Sequence, residues 1–137
     1  MTPFGAKIRD WRRLKNLTLQ QQARVLGVTT AYLSALETGT RGRPSAVFVD
    51  QICVWLELIW DDAEELQHLA SLSHPKPTIN TRGSHAEAIY LANFLSRNIA
   101  RLSPADCRRV TNLIGDCLNS SDDTVITNPD KLKQETD

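Results

Sequence analysis

The sequence has no apolar run long enough to span a bilayer, and its N-terminus lacks the apolar core of a signal peptide. These two absences predict a protein of the cytoplasm. The three cysteines, Cys53, Cys107 and Cys117, show no CxxC or Cys/His ligand spacing, and all three fall within apolar helical stripes. This placement favours buried thiols in a reducing compartment over disulfides or metal ligands.

Motifs of catalysis are also missing: there is no Ser/His/Asp order, glycine-rich phosphate loop or nucleophile motif. Asp61 and Glu64 are explained by helix capping, because negative charge suits a helix N-terminus. His68, His74 and His85 have no partners at ligand spacing. We therefore expect a protein that is not an enzyme and that holds no metal and no cofactor.

The net charge of zero conceals a strong segregation of charge along the chain. Residues 1–45 carry eight Lys or Arg against two acids, a net charge of +6, whereas residues 46–73 carry six acids and no Lys or Arg. Residues 74–118 sum to +3 and residues 119–137 to −3. Such a concentration of positive charge in one segment is typical of a nucleic-acid-binding surface.

Capping residues predict three short helices before residue 40. Gly27 separates the second helix from the third, where a left-handed backbone is least costly. The three helices are predicted to begin, in order, at Thr2-Pro3, at the capping box Thr18-x-x-Gln21, and at Thr29 or Thr30.

The second and third of these helices have the spacing of a helix-turn-helix, in which one helix crosses the DNA backbone and the next enters the major groove. Ala23 is small where the two helices would cross, and Gly27 permits the turn. Val28, Leu33 and Leu36 supply the apolar inner side. The outer positions of the third helix are then small or hydroxylic: Thr30, Ala31, Ser34, Ala35 and Thr38.

Two more helices are predicted before residue 74. Ser45 caps the fourth, and a capping box Asp61-x-x-Glu64 begins the fifth, which runs through Leu72. The apolar residues expected in the core from this stretch are Val47, Phe48, Ile52, Val54, Trp55, Leu56, Trp60, Leu66, Leu69 and Leu72.

Beyond residues 1–74, the sequence predicts a linker at residues 75–83, a helical hairpin at residues 84–118 and a disordered acidic tail at residues 119–137. Ser84-x-x-Glu87 and Ser103-Pro104 begin the two helices of the hairpin. The hairpin is too small to bury a good core alone, so it is expected to pack on the first domain, on a second copy of itself, or on both. Dimerisation is the preferred interpretation, with ligand sensing or partner-protein contact as alternatives. The residues expected to dimerise are Leu91, Leu95, Ile99, Leu102, Val110, Leu113 and Ile114.

Residues 4–60 resemble the lambda-repressor-like (XRE) family of helix-turn-helix regulators. The motifs that carry the resemblance are Phe4-Gly5-x-x-Ile8-Arg9, Leu17-Thr18, Ala23, Leu26-Gly27-Val28, Tyr32-Leu33-Ser34, Leu36-Glu37-x-Gly39 and Arg41-Gly42-Arg43-Pro44-Ser45. The resemblance implies an all-α fold with a five-helix DNA-binding domain that binds operators as a dimer, here followed by the C-terminal helical hairpin.

The resemblance also implies roles for individual residues. Arg12 and Glu37 are expected to form a structural ion pair. This sequence departs from the family at Leu19, where a glutamine that contacts phosphate is usual, and at Gln22, where an aliphatic residue is usual; Gln20 is the candidate substitute for the phosphate contact. Positions matching base or groove contacts are Thr29, Thr30, Ala31, Ser34 and Ala35; those matching backbone or minor-groove contacts are Thr38, Arg41 and Arg43.

The exposed side of the third helix has no Arg, Asn or Gln, so no side chain there can form two hydrogen bonds to one base. Specificity from DNA shape is therefore expected. Arg41 or Arg43 would enter a narrow minor groove or, alternatively, contact phosphate. The sequence thus predicts a dimeric repressor of a pseudo-palindromic operator on double-stranded DNA. The alternatives are an activator that contacts polymerase through Asp61 to Glu65, and an antitoxin-like module that binds a partner protein.

Overall fold

A computed structural model of the chain describes residues 1–127, with side chains described for residues 1–120. The described part is all-helical, which confirms the predicted fold class. Its elements are α1 (Pro3–Leu14), α2 (Leu19–Leu26), α3 (Thr30–Thr38), α4 (Ala46–Trp55), α5 (Trp60–Ser71), α6 (Ala86–Asn98), a 3₁₀ turn (Ile99–Arg101) and α7 (Pro104–Thr127). No helix among the described residues is both long and apolar enough to cross a membrane.

The chain divides into two compact units, one spanning Met1–Thr78 and a second that starts at Ile79. The first unit contains α1 to α5, and helices α1, α3, α4 and α5 supply its hydrophobic core. The core residues, each at most 7% exposed, are Phe4, Ile8, Leu36, Val49, Ile52, Cys53, Leu56, Leu58, Leu66 and Ala70. Trp11 and Trp55 pack against this core while keeping part of their surface exposed.

The predicted caps of the first four helices are confirmed by hydrogen bonds. The Thr2 hydroxyl accepts from the Gly5 N–H at 3.0 Å at the start of α1. Thr18 and Gln21 form a complete capping box at the start of α2. The side chains of Thr29 and Ser45 accept from the third N–H of α3 and α4 respectively.

The predicted capping box at the start of the fifth helix is wrong. Helix α5 begins at Trp60, with Ile59 at the N-cap position and no side-chain cap, so Asp61 and Asp62 lie within the first turn. The helix starts early because Leu58, 7% exposed, packs into the core just before it. The Trp60 side chain consequently points outward and is 81% exposed, which contradicts its predicted place in the core.

Three predicted core residues are also exposed. Helix α4 buries one side only, formed by Val49, Ile52 and Cys53, whereas Val47 and Val54 lie on the opposite side and are 69% and 78% exposed. Leu72, the C-cap residue of α5, is 61% exposed, and Leu69 is half-buried.

The second unit begins its first helix one residue later than predicted. His85, rather than Ser84, is the N-cap of α6, and its Nδ1 accepts from the Ala88 N–H at 3.1 Å. At the start of α7, the Ser103 hydroxyl accepts from the Asp106 N–H while an Asp106 carboxylate oxygen accepts from the Ser103 N–H.

Helix α7 continues to Thr127, so the predicted start of a disordered tail at residue 119 is wrong for residues 119–127. No proline occurs between Pro104 and Pro129, and the backbone can therefore stay helical although the side chains turn polar. The remainder of the predicted tail, residues 128–137, lies outside the described residues.

The cysteines differ from the prediction of buried thiols. Cys53 is buried in the core of the first unit, whereas Cys107 is half-buried and Cys117 is exposed. Burial, together with the nearby Asp50 carboxylate, raises the pKa of the Cys53 thiol.

Candidate nucleic-acid interface

Helices α2 and α3 form a tight helix-turn-helix. Ala23 is 3% exposed, and the Val28 N–H donates to its carbonyl oxygen at 3.0 Å as the chain leaves α2. Gly27 has a φ of 70°, in the left-handed region where a side chain would be strained. The small residue, the glycine turn and the two helices are thus placed as a helix-turn-helix requires.

The outer side of α3 consists of small residues. Thr30, Ala31, Ser34 and Thr38 are exposed, while Leu33, Leu36 and Glu37 on the inner side are buried. Ala35 lies at the edge between the two sides and is half-buried, so it is less accessible than the sequence predicted. Four of the predicted contact residues therefore share one exposed side, with the cap residue Thr29 exposed at its N-terminal end.

The hydroxyl groups on this side differ in what they can still bind. Thr29 uses its oxygen to accept from the Tyr32 N–H at 3.0 Å, and Thr38 donates its hydroxyl hydrogen to the Ser34 carbonyl at 3.0 Å. Within the part of the chain that the structure describes, the hydroxyls of Thr30 and Ser34 have no such internal partner. Thr30 and Ser34 are therefore the hydroxyls best able to donate to a base edge or a phosphate.

A buried polar cluster holds α3 against α1 and α2. Arg12 and Glu37 form an ion pair, with Arg12 Nη2 donating to Glu37 Oε2 at 3.2 Å, and the two residues are 6% and 2% exposed. Arg12 Nη1 also donates to Gln22 Oε1 at 2.7 Å, and Gln22 is fully buried. The three residues come from three helices, so the cluster fixes the position of α3.

The role of Gln22 was missed by sequence analysis. Its departure from the family's usual aliphatic residue was noted, but the buried hydrogen bond to Arg12 was not inferred. The Gln22 Nε2 group has no hydrogen-bond partner among the described residues, as is also true of Trp11 Nε1.

A second tie joins the start of α1 to the end of α3. The Thr2 N–H and hydroxyl both donate to the Glu37 carbonyl oxygen, at 2.9 and 3.1 Å. Gly5 lies so close to this carbonyl group that a Cβ atom at residue 5 would overlap it. The absence of a side chain at Gly5 therefore allows α1 to approach α3 at its closest point.

The loop after α3 carries two exposed arginines. The Arg41 guanidinium carbon lies 5.8 Å from the centre of the Tyr32 ring, in a cation–π contact. Tyr32 in turn packs edge-to-face against Phe48, with ring centres 6.2 Å apart. Arg43 is exposed, as is Gln20 in the first turn of α2.

The accessible surface of residues 1–45 stays strongly positive after internal pairing. Arg12 and Glu37 neutralise each other within the fold, and Lys7 Nζ lies 3.4 Å from a carboxylate oxygen of Glu65. The other six basic residues of this segment are exposed or half-buried: Arg9, Arg13, Lys15, Arg24, Arg41 and Arg43. No group of three or more potential metal ligands occurs within the described residues.

The residues predicted to dimerise all lie in the second unit and largely remain uncovered. Leu95 and Leu102 are half-buried, and the other five are exposed. No residue between positions 79 and 120 is buried, so α6 and α7 lack a core of their own. The exposed five are Leu91, Ile99, Val110, Leu113 and Ile114, between 37% and 62% exposed.

Comparison with known proteins finds matches within the first unit. The model of a family described as a helix-turn-helix domain matches residues 3–69. A curated relative, RghRB of Bacillus subtilis (strain 168), is named as an uncharacterized HTH-type transcriptional regulator and is 32% identical over 62 residues. That match covers 45% of this chain and 45% of the relative, and no solved structure gives a significant match. Residues 3–69 therefore match a helix-turn-helix family model, and α2 and α3 within them have the arrangement of that motif.

Proposed function

We propose that this chain is a transcriptional regulator of the lambda-repressor-like type that binds a specific operator on double-stranded DNA. Helix α3 enters the major groove, while α2 lies across the sugar-phosphate backbone. Two copies bind a pseudo-palindromic operator whose half-sites are about one helical turn apart, and occupancy of that operator by a cytoplasmic dimer blocks transcription. The protein acts by binding rather than by catalysis.

The observation that carries this proposal is the outer side of α3. An exposed helical side made of Thr30, Ala31, Ser34 and Thr38 offers little apolar surface for a protein core, but it allows the helix backbone to approach a groove floor closely. The buried cluster around Arg12 holds this helix rigidly. Positive charge on residues 1–45 supplies the attraction to phosphate.

Specificity in this proposal comes from two sources. The hydroxyls of Thr30 and Ser34 hydrogen-bond to base edges or adjoining phosphates, and Ala31, with Ala35 at the edge, packs against thymine methyl groups. Because bidentate side chains are absent from this side, sequence-dependent groove width contributes the rest. Gln20, Thr38, Arg41 and Arg43 hold the backbone or the minor groove beside α3.

Substitution of Ser34 by glutamate tests the role of α3. The variant places a negative charge on the outer side of the helix, and we expect operator affinity, measured by fluorescence anisotropy, to fall by about tenfold or more. Gln51→Glu adds the same charge on the exposed side of α4 and serves as the matched control. Equal affinities of the two variants, or no salt-dependent preference of the parent for any promoter fragment over random duplex, would refute the proposal.

Arg43→Lys separates the two readings of the loop arginines. If Arg43 contacts phosphate, the loss of affinity should be uniform across operator sequences, because the phosphate is the same in each of them. Lysine keeps the positive charge of arginine but not its planar, bidentate geometry. Entry into a narrow minor groove predicts a loss confined to A/T-rich operators. Binding titrations against an A/T-rich operator and a G/C-substituted version of it distinguish these outcomes.

The assembly through the second unit is tested by light scattering. The uncovered leucines and isoleucines of α6 and α7 favour a dimer in which a second copy covers them. We expect the full chain to be dimeric and a chain ending at Thr78 to be monomeric.

The same uncovered surface also favours a second candidate, an antitoxin-like module that binds a partner protein. A full chain that is monomeric when free and when bound to DNA would favour this candidate.

A further inference from the structure

Helix α6 carries an aromatic pair that the predicted dimerisation stripe does not include. Tyr90 and Phe94 stack with ring centres 5.8 Å apart and an interplanar angle of 13°. They are nevertheless 70% and 55% exposed. Aromatic side chains dominate the energetics of many protein interfaces, and a large exposed pair on one helix is unusual unless another chain covers it.

Charged residues extend the same line along the helix in both directions. Glu87 lies three residues before Tyr90, and Arg97 lies three residues after Phe94, and both are exposed. The spacing of three, four and three residues is that by which one helix meets another along a continuous seam. We call Glu87, Tyr90, Phe94 and Arg97 the α6 seam; it is acidic at its N-terminal end, aromatic in the middle and basic at its C-terminal end.

We propose that two copies of the chain pair their α6 helices antiparallel along the α6 seam, an inference that rests on the dimer of the proposed function. With a two-fold axis at Ala92, Tyr90 lies level with the partner's Phe94, and Phe94 with the partner's Tyr90. The same register sets Glu87 level with the partner's Arg97, twice by symmetry. The four aromatic rings of the two copies then pack together in the middle of the contact, with one Glu87–Arg97 ion pair at each end.

The positions of Glu87 and Arg97 at opposite ends of the seam favour a second copy of α6 as the partner, in the antiparallel direction. A parallel pair would bring Glu87 to the partner's Glu87 and Arg97 to the partner's Arg97, which is repulsive at both ends. A second copy in the antiparallel direction satisfies every member of the seam without any further protein. The half-buried side of α6, which includes Ala88, Ala92 and Leu95, is not required for this contact.

Glu87 is available for such a pair in the isolated chain. Its carboxylate lies 3.3 Å from His85 Nδ1, with both side chains strongly exposed. That nitrogen already accepts the Ala88 N–H as the cap of α6. The Glu87 carboxylate, 86% exposed, is therefore accessible to a partner chain.

Charge reversal in the full-length protein tests the register. We expect Glu87→Arg and Arg97→Glu each to raise the dimer dissociation constant about tenfold in sedimentation equilibrium, because each converts two attractive pairs into two repulsive ones. The double variant E87R/R97E restores the parent value, and a mixture of the two single variants forms heterodimers in preference to either homodimer. Arg82→Glu, which changes the charge equally but lies before α6, is the matched control and leaves the constant unchanged.

The outcomes separate this inference from the proposed function. A stable dimer whose dissociation constant is indifferent to E87R and R97E overturns the α6 seam and leaves the proposed dimer standing. A chain that stays monomeric with and without operator DNA overturns both. Circular dichroism of each variant shows whether α6 has kept its helicity, and Phe94→Ala provides a charge-independent second variant that weakens the dimer by a larger factor than E87R.

Discussion

Replacement of Arg12 by methionine measures how strongly the buried polar cluster holds the helix-turn-helix together. The variant leaves the Glu37 carboxylate, 2% exposed, without its cationic partner. Breaking a buried pair in this way destabilises a fold by about 3–5 kcal/mol. Loss of the 2.7 Å bond to Gln22 adds about 1 kcal/mol. Because small domains are stable by only about 5–15 kcal/mol, we expect the first unit to become marginally stable.

Urea unfolding followed by tryptophan fluorescence is the appropriate assay. All three tryptophans of the chain lie in the first unit, so the signal reports on the helix-turn-helix domain and not on α6 or α7. Two of them, Trp11 and Trp55, pack against the core and should change fluorescence strongly on unfolding. The free energy of unfolding is obtained by linear extrapolation to zero urea.

Two further variants make the result interpretable. Arg13→Met removes the charge of an exposed neighbour and should change the free energy of unfolding by no more than about 0.5 kcal/mol. The double variant R12M/E37M replaces the ion pair by apolar side chains and should recover at least about 2 kcal/mol of the loss. A loss below about 1 kcal/mol for Arg12→Met, or a double variant no more stable than the single one, would refute the reasoning.

Three other perturbations follow from the first unit. Gly5→Ala forces a Cβ into the Glu37 carbonyl group and should lower the free energy of unfolding by about 1–3 kcal/mol in the same urea assay; an unchanged midpoint would contradict the close approach. Thr18→Ala removes a complete capping box and should cost about 1 kcal/mol, measured as a lower thermal midpoint. Because burial raises its pKa, Cys53 should resist alkylation at pH 8 until urea unfolds the domain; rapid labelling of this residue in the native protein would show the thiol to be accessible.

Local signals in the sequence predicted the starts of the first four helices well, and each of these helices has a side-chain cap. Thr18, Thr29 and Ser45 each accept a backbone N–H in the expected place, because capping depends on residues only two or three positions apart. The start of α5 failed for the opposite reason. No side chain caps it, and its position is set by the packing of Leu58 in the core, which is a tertiary effect.

Periodicity was less reliable for deciding which apolar residues are buried. Val47 and Val54 fit a helical stripe as well as Ile52 does, but only one side of α4 meets the rest of the domain. At the candidate interface, spacing alone was enough to derive the outer side of α3, except that Ala35 is half-buried at its edge. The buried amide of Gln22 could not, since its place depends on how three helices come together around Arg12.

The stacking of Arg41 on Tyr32 makes the two loop arginines differ in how easily they can move to contact DNA. Moving the guanidinium away from the ring loses about 0.5–1 kcal/mol of cation–π interaction energy at an exposed site. Any movement of Arg41 into a groove includes this loss. Among the described residues, Arg43 makes no comparable ring contact. Arg43 can therefore reorient toward DNA without losing such a contact, whereas the ring of Tyr32 already orients the Arg41 side chain before any ligand binds.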